Sequence, residues 1–388
     1  MTAAQRSRAA RIVAVALSVL LLAATLGGQT LLGRIDPALA LPVLIPPFLL
    51  LAWWMRDATA RDRRRAPAAV LLLLIVGQGA LALLLAHRLP VAQLAAVAVA
   101  GALAAVLAGL VVRLPVRRFG QAGAALLLAL LWFGAAHGVL AWLYRPPVAP
   151  PGAPAATMLT GLPLRWGGGG DIAAMIADGA ADDPALARLE AMGPVELVDS
   201  LADPMPASDA ALLIAHPRAL APRDLVALDA FVRGGGRAVI LADALSGWPS
   251  PHPLGDPRNP PVTSLLTPLF DHWGITLGAA PASETAPLAV DVAGARLMLF
   301  SAGRFDRLPP ACRGWGDARV LRCRVGQGTA WIVGDADLLF TPLWRPPLPW
   351  AHHLRRSDAM DWLGERLWGP PATAGPRFAP VWIAVGGH

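Results

Sequence analysis

Lysine is missing altogether: all 33 basic side chains of the 388-residue chain are arginine. That absence excludes a phosphate-loop lysine, a Schiff-base lysine and any cofactor held through one. Cysteine occurs only at Cys312 and Cys323, and tyrosine once. No G-x-S-x-G elbow, ATPase motif or internal repeat is found. Charge is scarce at 15%, against 55% hydrophobic residues and a mean hydropathy of +0.52. A chain this apolar places part of itself in lipid.

Acidic residues are scarcest at the front. Residues 1–150 hold 14 Arg against 3 acids, whereas 151–388 hold 19 Arg against 23 acids, so the formal +7 divides into +11 and −4. The excess Arg lies in short loops between apolar runs, where it sets membrane orientation, and nucleic acid is not an expected partner.

Five runs reach spanning length: about Ile12 to Leu32, Ala38 to Met55, Ala66 to Ala86, Pro90 to Val112 and Phe119 to Tyr144. Pro42, Pro46 and Pro47 interrupt the second, which reads as a kink. Basic segments alternate with poor ones: Arg6, Arg8 and Arg11, then five Arg from Arg56 to Arg65, then Arg113, Arg117 and Arg118, with only Arg34 and Arg88 between. The positive-inside rule therefore expects a cytoplasmic N-terminus and, after five crossings, an extracytoplasmic domain beyond Tyr144. A rival reading treats Ala38-Leu39-Ala40 as a signal-peptide cleavage site, against which the apolar stretch is too long and more spans follow. His137 is the main ionisable residue within a span, with packing as its plainer role and proton relay as the functional one.

The expected division is a membrane domain over 1–145 with about five transmembrane helices, a Pro-rich linker over 146–154, an α/β domain over 155–368 and a Pro/Gly-rich tail over 369–388. Within the α/β part, Ala210 to Ala215 reads as a buried strand, Pro222 to Arg233 as a helix and Arg237 to Ala242 as a second buried strand. Pro222 suits the first helical turn, and Gly234 to Gly236 end the helix with residues free to take positive φ. Thr157 to Leu162 is a further strand, with Gly167 to Gly170 before a helix near Asp171. Val262 to Trp273 reads as a helix, Leu288 to Val292 with Arg296 to Ser301 as a hairpin, Val320 to Val325 and Thr329 to Gly334 as strands, and Asp358 to Trp368 as a closing helix.

The stretch SDAALLIAHPRALAPRDLVALDAFVRGGGRAVILAD from Ser208 to Asp243, the segment from Leu265 to Gly274 and GQGTAWIVGDADLLF from Gly326 to Phe340 resemble the auxiliary-protein family of gliding-motility-type ABC transporters. That resemblance implies a doubly wound, mostly parallel α/β sheet of class I glutamine-amidotransferase type, with ABC transporter subunits as partners. The transmembrane helix bundle before it, and the bilayer as partner, follow from the apolar runs, and five helices ahead of the soluble region depart from the family's pattern of one at each end. The resemblance implies the fold and not the reaction. An amidotransferase needs an activated Cys on a strand-to-helix turn beside a His, and Cys312 and Cys323 lie in a less regular insertion.

Ligands of doubly wound sheets sit beyond the carboxyl ends of the strands, where His216, Asp243, Asp335 and Asp337 all fall. These four are the candidate ligand-binding residues; the plainer alternative is that they cap helices and hold loop amides. Outside the cytoplasm Cys312 and Cys323 are a candidate disulfide. Gly167 to Gly170 as a phosphate cradle would set Asp171 against the anion, and His272 with His352 and His353 lacks metal-site spacing. No catalytic residue, metal or cofactor is therefore expected. The leading reading is a non-enzymatic membrane-anchored accessory or scaffold protein, the second an extracytoplasmic small-ligand sensor using the strand-end pocket, and the third a hydrolase with an unrecognised site.

Overall fold

The computed structural model describes residues 3–165, 182–253, 255–256, 258–346, 348, 350–370 and 377–385. The Gly167 to Gly170 turn and the helix near Asp171 lie outside the described residues. The chain divides into two compact units, each discontinuous in sequence. One combines the stretch ending at Arg145 with 346–354 and 377–385, and the other combines 146–345 with 355–370.

The first unit is helical. It contains α1 (Ala3–Thr30), α2 (Ile45–Trp54), α3 (Ala60–Ala86), α4 (Val91–Val112) and α5 (Arg118–Leu143). Helices α3, α4 and α5 have mean hydropathies of 2.6, 2.6 and 2.0 over their most apolar stretches and are long enough to cross a membrane. At 1.5 Å per residue, even the 22 residues of α4 exceed a hydrocarbon core of about 30 Å. Within α1 the described apolar helix Val15–Thr25 is shorter. The proline-interrupted run forms two pieces, a 3₁₀ helix over Pro37–Val43 and α2, bent by 58° and together of spanning composition. At the break the Leu41 carbonyl accepts both Leu44 N–H at 3.4 Å and Trp132 Nε1 at 2.7 Å, which satisfies irregular backbone among apolar neighbours.

A polar knot follows α1. Arg34 and Asp36 pair at 2.7 Å with both side chains fully buried. Tyr144 donates its hydroxyl to the same carboxylate at 2.6 Å, and the Gln29 amide bonds both the N–H and the carbonyl of Asp36. Arg34 also donates to the His353 carbonyl and lies against the rings of Tyr144 and Trp382. The apolar segment at 377–385 completes this end of the unit: Ile35 N–H donates to Val381, Ile383 N–H to Gly33, and Ala384 N–H to Leu85.

The second unit is a seven-stranded sheet. Its elements are β1 (Ala156–Thr160), α6 (Pro184–Met192), β2 (Val195–Leu197), β3 (Ala211–Ala215), α7 (Pro222–Arg233), β4 (Arg237–Leu241), α8 (Thr267–Trp273), β5 (Thr276–Gly278), β6 (Leu288–Val292), β7 (Ala295–Leu299), β8 (Arg304–Arg307), β9 (Cys312–Trp315), β10 (Val320–Val325), β11 (Gly328–Val333), α9 (Thr341–Trp344) and α10 (Ala359–Trp368). The strand order is β2-β1-β3-β4-β11-β10-β9, parallel through β11 and antiparallel for the last two pairings. This mixed, mostly parallel α/β arrangement is what the apolar runs anticipate, because β3 and β4 are covered on both faces. Leu213, Val239 and Leu241 join one core with α6 and α10, while Leu212, Ile214 and Ile240 join the other with α7 and α8. After α7 the chain turns back through Gly235 at φ 113°, and the Phe231 ring closes over Gly236 in the space a Cβ would need.

Helix α8 starts at Thr267, five residues later than the apolar pattern from Val262 suggests. Ser264 N–H is already committed to the Asp243 carbonyl at 2.8 Å, and Pro268 favours a start beside it. Cys312 and Cys323 lie in the regular strands β9 and β10 as direct cross-strand partners, not in an irregular insertion, and are joined by a disulfide.

Replacing Arg34 by Met leaves Asp36 buried without its cation and is expected to destabilise the helical unit by about 3–5 kcal/mol. The pair Arg34→Met with Asp36→Asn should recover most of that loss. Thermal unfolding of the detergent-solubilised chain compares the three, and equal losses in the single and double variants would show that the charges are not coupled.

Candidate functional site

The carboxyl ends of the parallel strands gather all four residues singled out from the sequence. His216 directly follows β3, Asp243 lies two residues past β4, and Asp335 and Asp337 lie two and four residues past β11. One oxygen from each of the three carboxylates lies within 4.8 Å of the others, and all three residues are buried. Hard cations favour such oxygens. Their hydrogen bonds, however, are already directed elsewhere.

Asp243 accepts from Leu245 N–H at 2.9 Å with one oxygen and from Ala336 N–H at 3.4 Å with the other. Asp335 accepts from Asp337 N–H at 2.6 Å and from Phe300 N–H at 2.7 Å. Asp337 accepts from the Ser246 hydroxyl at 3.1 Å and from Gly247 N–H at 2.7 Å. Every carboxylate oxygen of the trio thus lies by a donor from a loop that follows β4, β7 or β11. The arrangement ties the β4, β7 and β11 exits together.

His216 forms a separate clasp. Its backbone takes φ 46°, a left-handed conformation costing a non-glycine residue about 1 kcal/mol. Nε2 lies 2.6 Å from the Pro261 carbonyl, which can only accept, so that nitrogen carries the proton and Nδ1 accepts from the Ser264 hydroxyl at 2.7 Å. Ser264 Oγ in turn accepts Asp243 N–H at 2.9 Å. A serine hydroxyl on a neutral, oriented imidazole has the connectivity of a nucleophile and its base. Here His216 is 0% and Ser264 8% exposed. The pair fastens the 261–264 loop onto the strand ends. Ser264 was not legible as a partner because 48 residues separate it from His216.

Burial, followed by the Asp337 charge, pushes Asp243 up to about 7. Burial pushes Asp337 up to about 6, and burial with the two neighbouring carboxylates pushes Asp335 well above the usual range. Burial lowers His216, which agrees with a neutral ring.

The histidines weighed as metal ligands have other partners. His272 lies by Asp229 and Arg233, whereas His353 Nε2 lies 2.9 Å from His137 Nδ1.

Spanning helices and a largely parallel α/β unit together define a membrane protein with an α/β domain. Residues 193–280 match the family described as "ABC-type uncharacterized transport system", which bears out the resemblance to an ABC-transporter auxiliary family, though not its gliding-motility type or its amidotransferase-like fold. The matched stretch contains β3, α7, β4 and α8. Together with the spanning helices, the match fits a membrane-anchored accessory protein. No curated protein matches the chain.

Among solved structures, the exo-beta-1,4-mannosidase Op5Man5 from Opitutaceae bacterium strain TAV5 is similar at 14% identity and a TM-score of 0.33, over 63% of this chain and 38% of its own. A GH42 beta-galactosidase from G. stearothermophilus is similar at 13% identity and a TM-score of 0.30, over 55% of this chain and 31% of its own. The chain spans well under half of either protein, and superpositions this loose assign neither fold nor activity.

The three acids hold protons in the folded unit at pH values where unfolded carboxylates have already ionised near 4. The stability they contribute is full below pH 4 and is lost as pH rises through about 6 and 7. Thermal unfolding should therefore fall by roughly 5 °C or more between pH 5 and pH 8. Asp337→Asn keeps an acceptor for Gly247 N–H and offers its amide to the Ser246 hydroxyl while removing a charge. It should flatten that slope; a variant with the wild-type slope would show that this cluster does not govern it.

Proposed function

We propose that the chain is a non-enzymatic accessory or scaffold subunit, anchored by five spans, whose extracytoplasmic α/β domain contacts partners of an ABC-type transport system. The observation that carries this reading is the 193–280 match, because it includes β3 and β4, adjacent inner strands of the seven-stranded sheet. The strand-end geometry supports it: the carboxylates and the Ser264–His216 pair hold loops in place, as a surface meant for protein contact needs. The class I amidotransferase-like type is the fold we assign to this domain, without the reaction.

Orientation follows from charge. The Arg56 to Arg65 segment precedes α3, and Arg113, Arg117 and Arg118 join α4 to α5, so these basic segments share one end of the helices. The 377–385 segment bonds the opposite end, at Gly33, Leu85 and Leu143. The positive-inside rule makes the arginine end cytoplasmic. ATP hydrolysis then belongs to another chain.

An alkaline phosphatase fused after Pro154 is expected to be active and a fluorescent cytoplasmic reporter at the same place dark. Cross-linking followed by affinity purification of the full chain should recover membrane and ATP-binding subunits of an ABC-type system. Fluorescence without phosphatase activity would mean an even number of spans, and recovery of no such subunit would sink the accessory assignment.

A further inference from the structure

Helix α2 is ten residues long, about 15 Å, while α3 and α4 beside it have 27 and 22 residues. So short a helix cannot fill the space between two full-length neighbours. What remains is a groove of about 400 Å³ where α2 ends, α3 begins and α4 ends. Phe48, Leu51, Val106 and Leu110 give it an apolar floor. Arg56, Arg63, Arg64 and Arg113 give it a cationic rim, and no acidic residue lines it. A second groove of about 300 Å³ against α5 shares Arg56 and Val112 with the first and adds Arg118.

Little nearby neutralises this rim. Asp57 reaches Arg56 at 3.3 Å with side chains 86% and 47% exposed, a geometry worth little in water. Asp62 is engaged by the Thr59 hydroxyl. Arg63 uses one nitrogen on the Ala58 carbonyl, yet its Nε is buried with no hydrogen-bond partner. The four guanidinium groups line one groove, where an anion with several oxygens can meet more than one of them.

We propose that this groove binds an anionic glycerophospholipid, with its phosphate among Arg56, Arg63, Arg64 and Arg113 and an acyl chain along the apolar floor. A soluble anion has no use for the floor. A zwitterionic lipid brings its own ammonium group among four guanidinium groups. Arginine suits the task because its planar fork bonds phosphate oxygens in pairs, and basic pockets between transmembrane helices are where such headgroups bind.

Native mass spectrometry of the detergent-solubilised full chain tests the proposal, with phosphatidylglycerol, phosphatidylcholine of the same acyl chains, and inorganic phosphate as probes. Phosphatidylglycerol should bind at least tenfold more tightly than phosphatidylcholine, and phosphate should not compete at lipid concentrations. Arg63→Ala with Arg64→Ala should weaken phosphatidylglycerol binding roughly tenfold or more. Arg61→Ala with Arg65→Ala removes the same charge from the same segment but outside the groove, and should change it less than twofold. Gly109→Leu separates floor from rim: a Cβ there meets no heavy atom within 4 Å, so the side chain enters the groove with all four arginines kept. It should weaken binding by a similar factor. Equal losses from the two arginine pairs, wild-type binding in Gly109→Leu, equal affinity for phosphatidylcholine, or competition by phosphate would each overturn the proposal.

Discussion

The constraint on which this structure rests is that polar groups removed from water have to find partners inside the chain. In the helical unit it acts on the break between α1 and α2, where Asp36 collects Arg34, Tyr144 and Gln29. A charge buried that deeply persists only when paired and hydrogen-bonded. In the sheet unit the same constraint acts on the strand exits, whose backbone amides are held by Asp243, Asp335 and Asp337. Two solvents surround the two units, and one rule shapes both.

This use of carboxylates bears on function. Three acids and a histidine at the ends of parallel strands have the composition of an active centre, and composition alone does not distinguish chemistry from architecture. Hydrogen-bond accounting does. Here each of the six oxygens lies within hydrogen-bond reach of a donor from the chain's own loops, which gives the three side chains a structural task. Asp224 repeats the pattern on a smaller scale, accepting from Ser200 and from the amides of Leu201 and Ala202. Rigid loops at one edge of a sheet suit a protein that presents a fixed surface.

What could be read from the sequence depended on the range of the interaction. The strands β3 and β4 were legible because a strand buried on both faces is a continuous apolar run, and α7 because Pro222 and Gly234 to Gly236 mark its ends locally. The strand-end residues were legible as neighbours because parallel topology brings strand ends together. Their partners were not, since Phe300 and Ser246 reach Asp335 and Asp337 across 35 and 91 residues. The early part of the Val262 to Trp273 helix was misread for the same reason: Ser264 answers to His216 and Asp243 rather than to its own helix. The prolines at Pro42, Pro46 and Pro47 signalled a kink, while its form, a 3₁₀ turn meeting α2 at 58°, depended on distant Trp132.

The helical unit takes its final polypeptide from a segment that follows the whole α/β region. Residues 377–385 supply amides and carbonyls to Gly33, Ile35, Leu85 and Leu143, about 230 positions or more upstream. During synthesis the helices therefore enter the bilayer with those groups unanswered, and the α/β unit has time to fold before they are met. Without this segment the Ile35 amide and the Gly33, Leu85 and Leu143 carbonyls would lose these partners, so distant sequence decides whether the ends of the helices are satisfied.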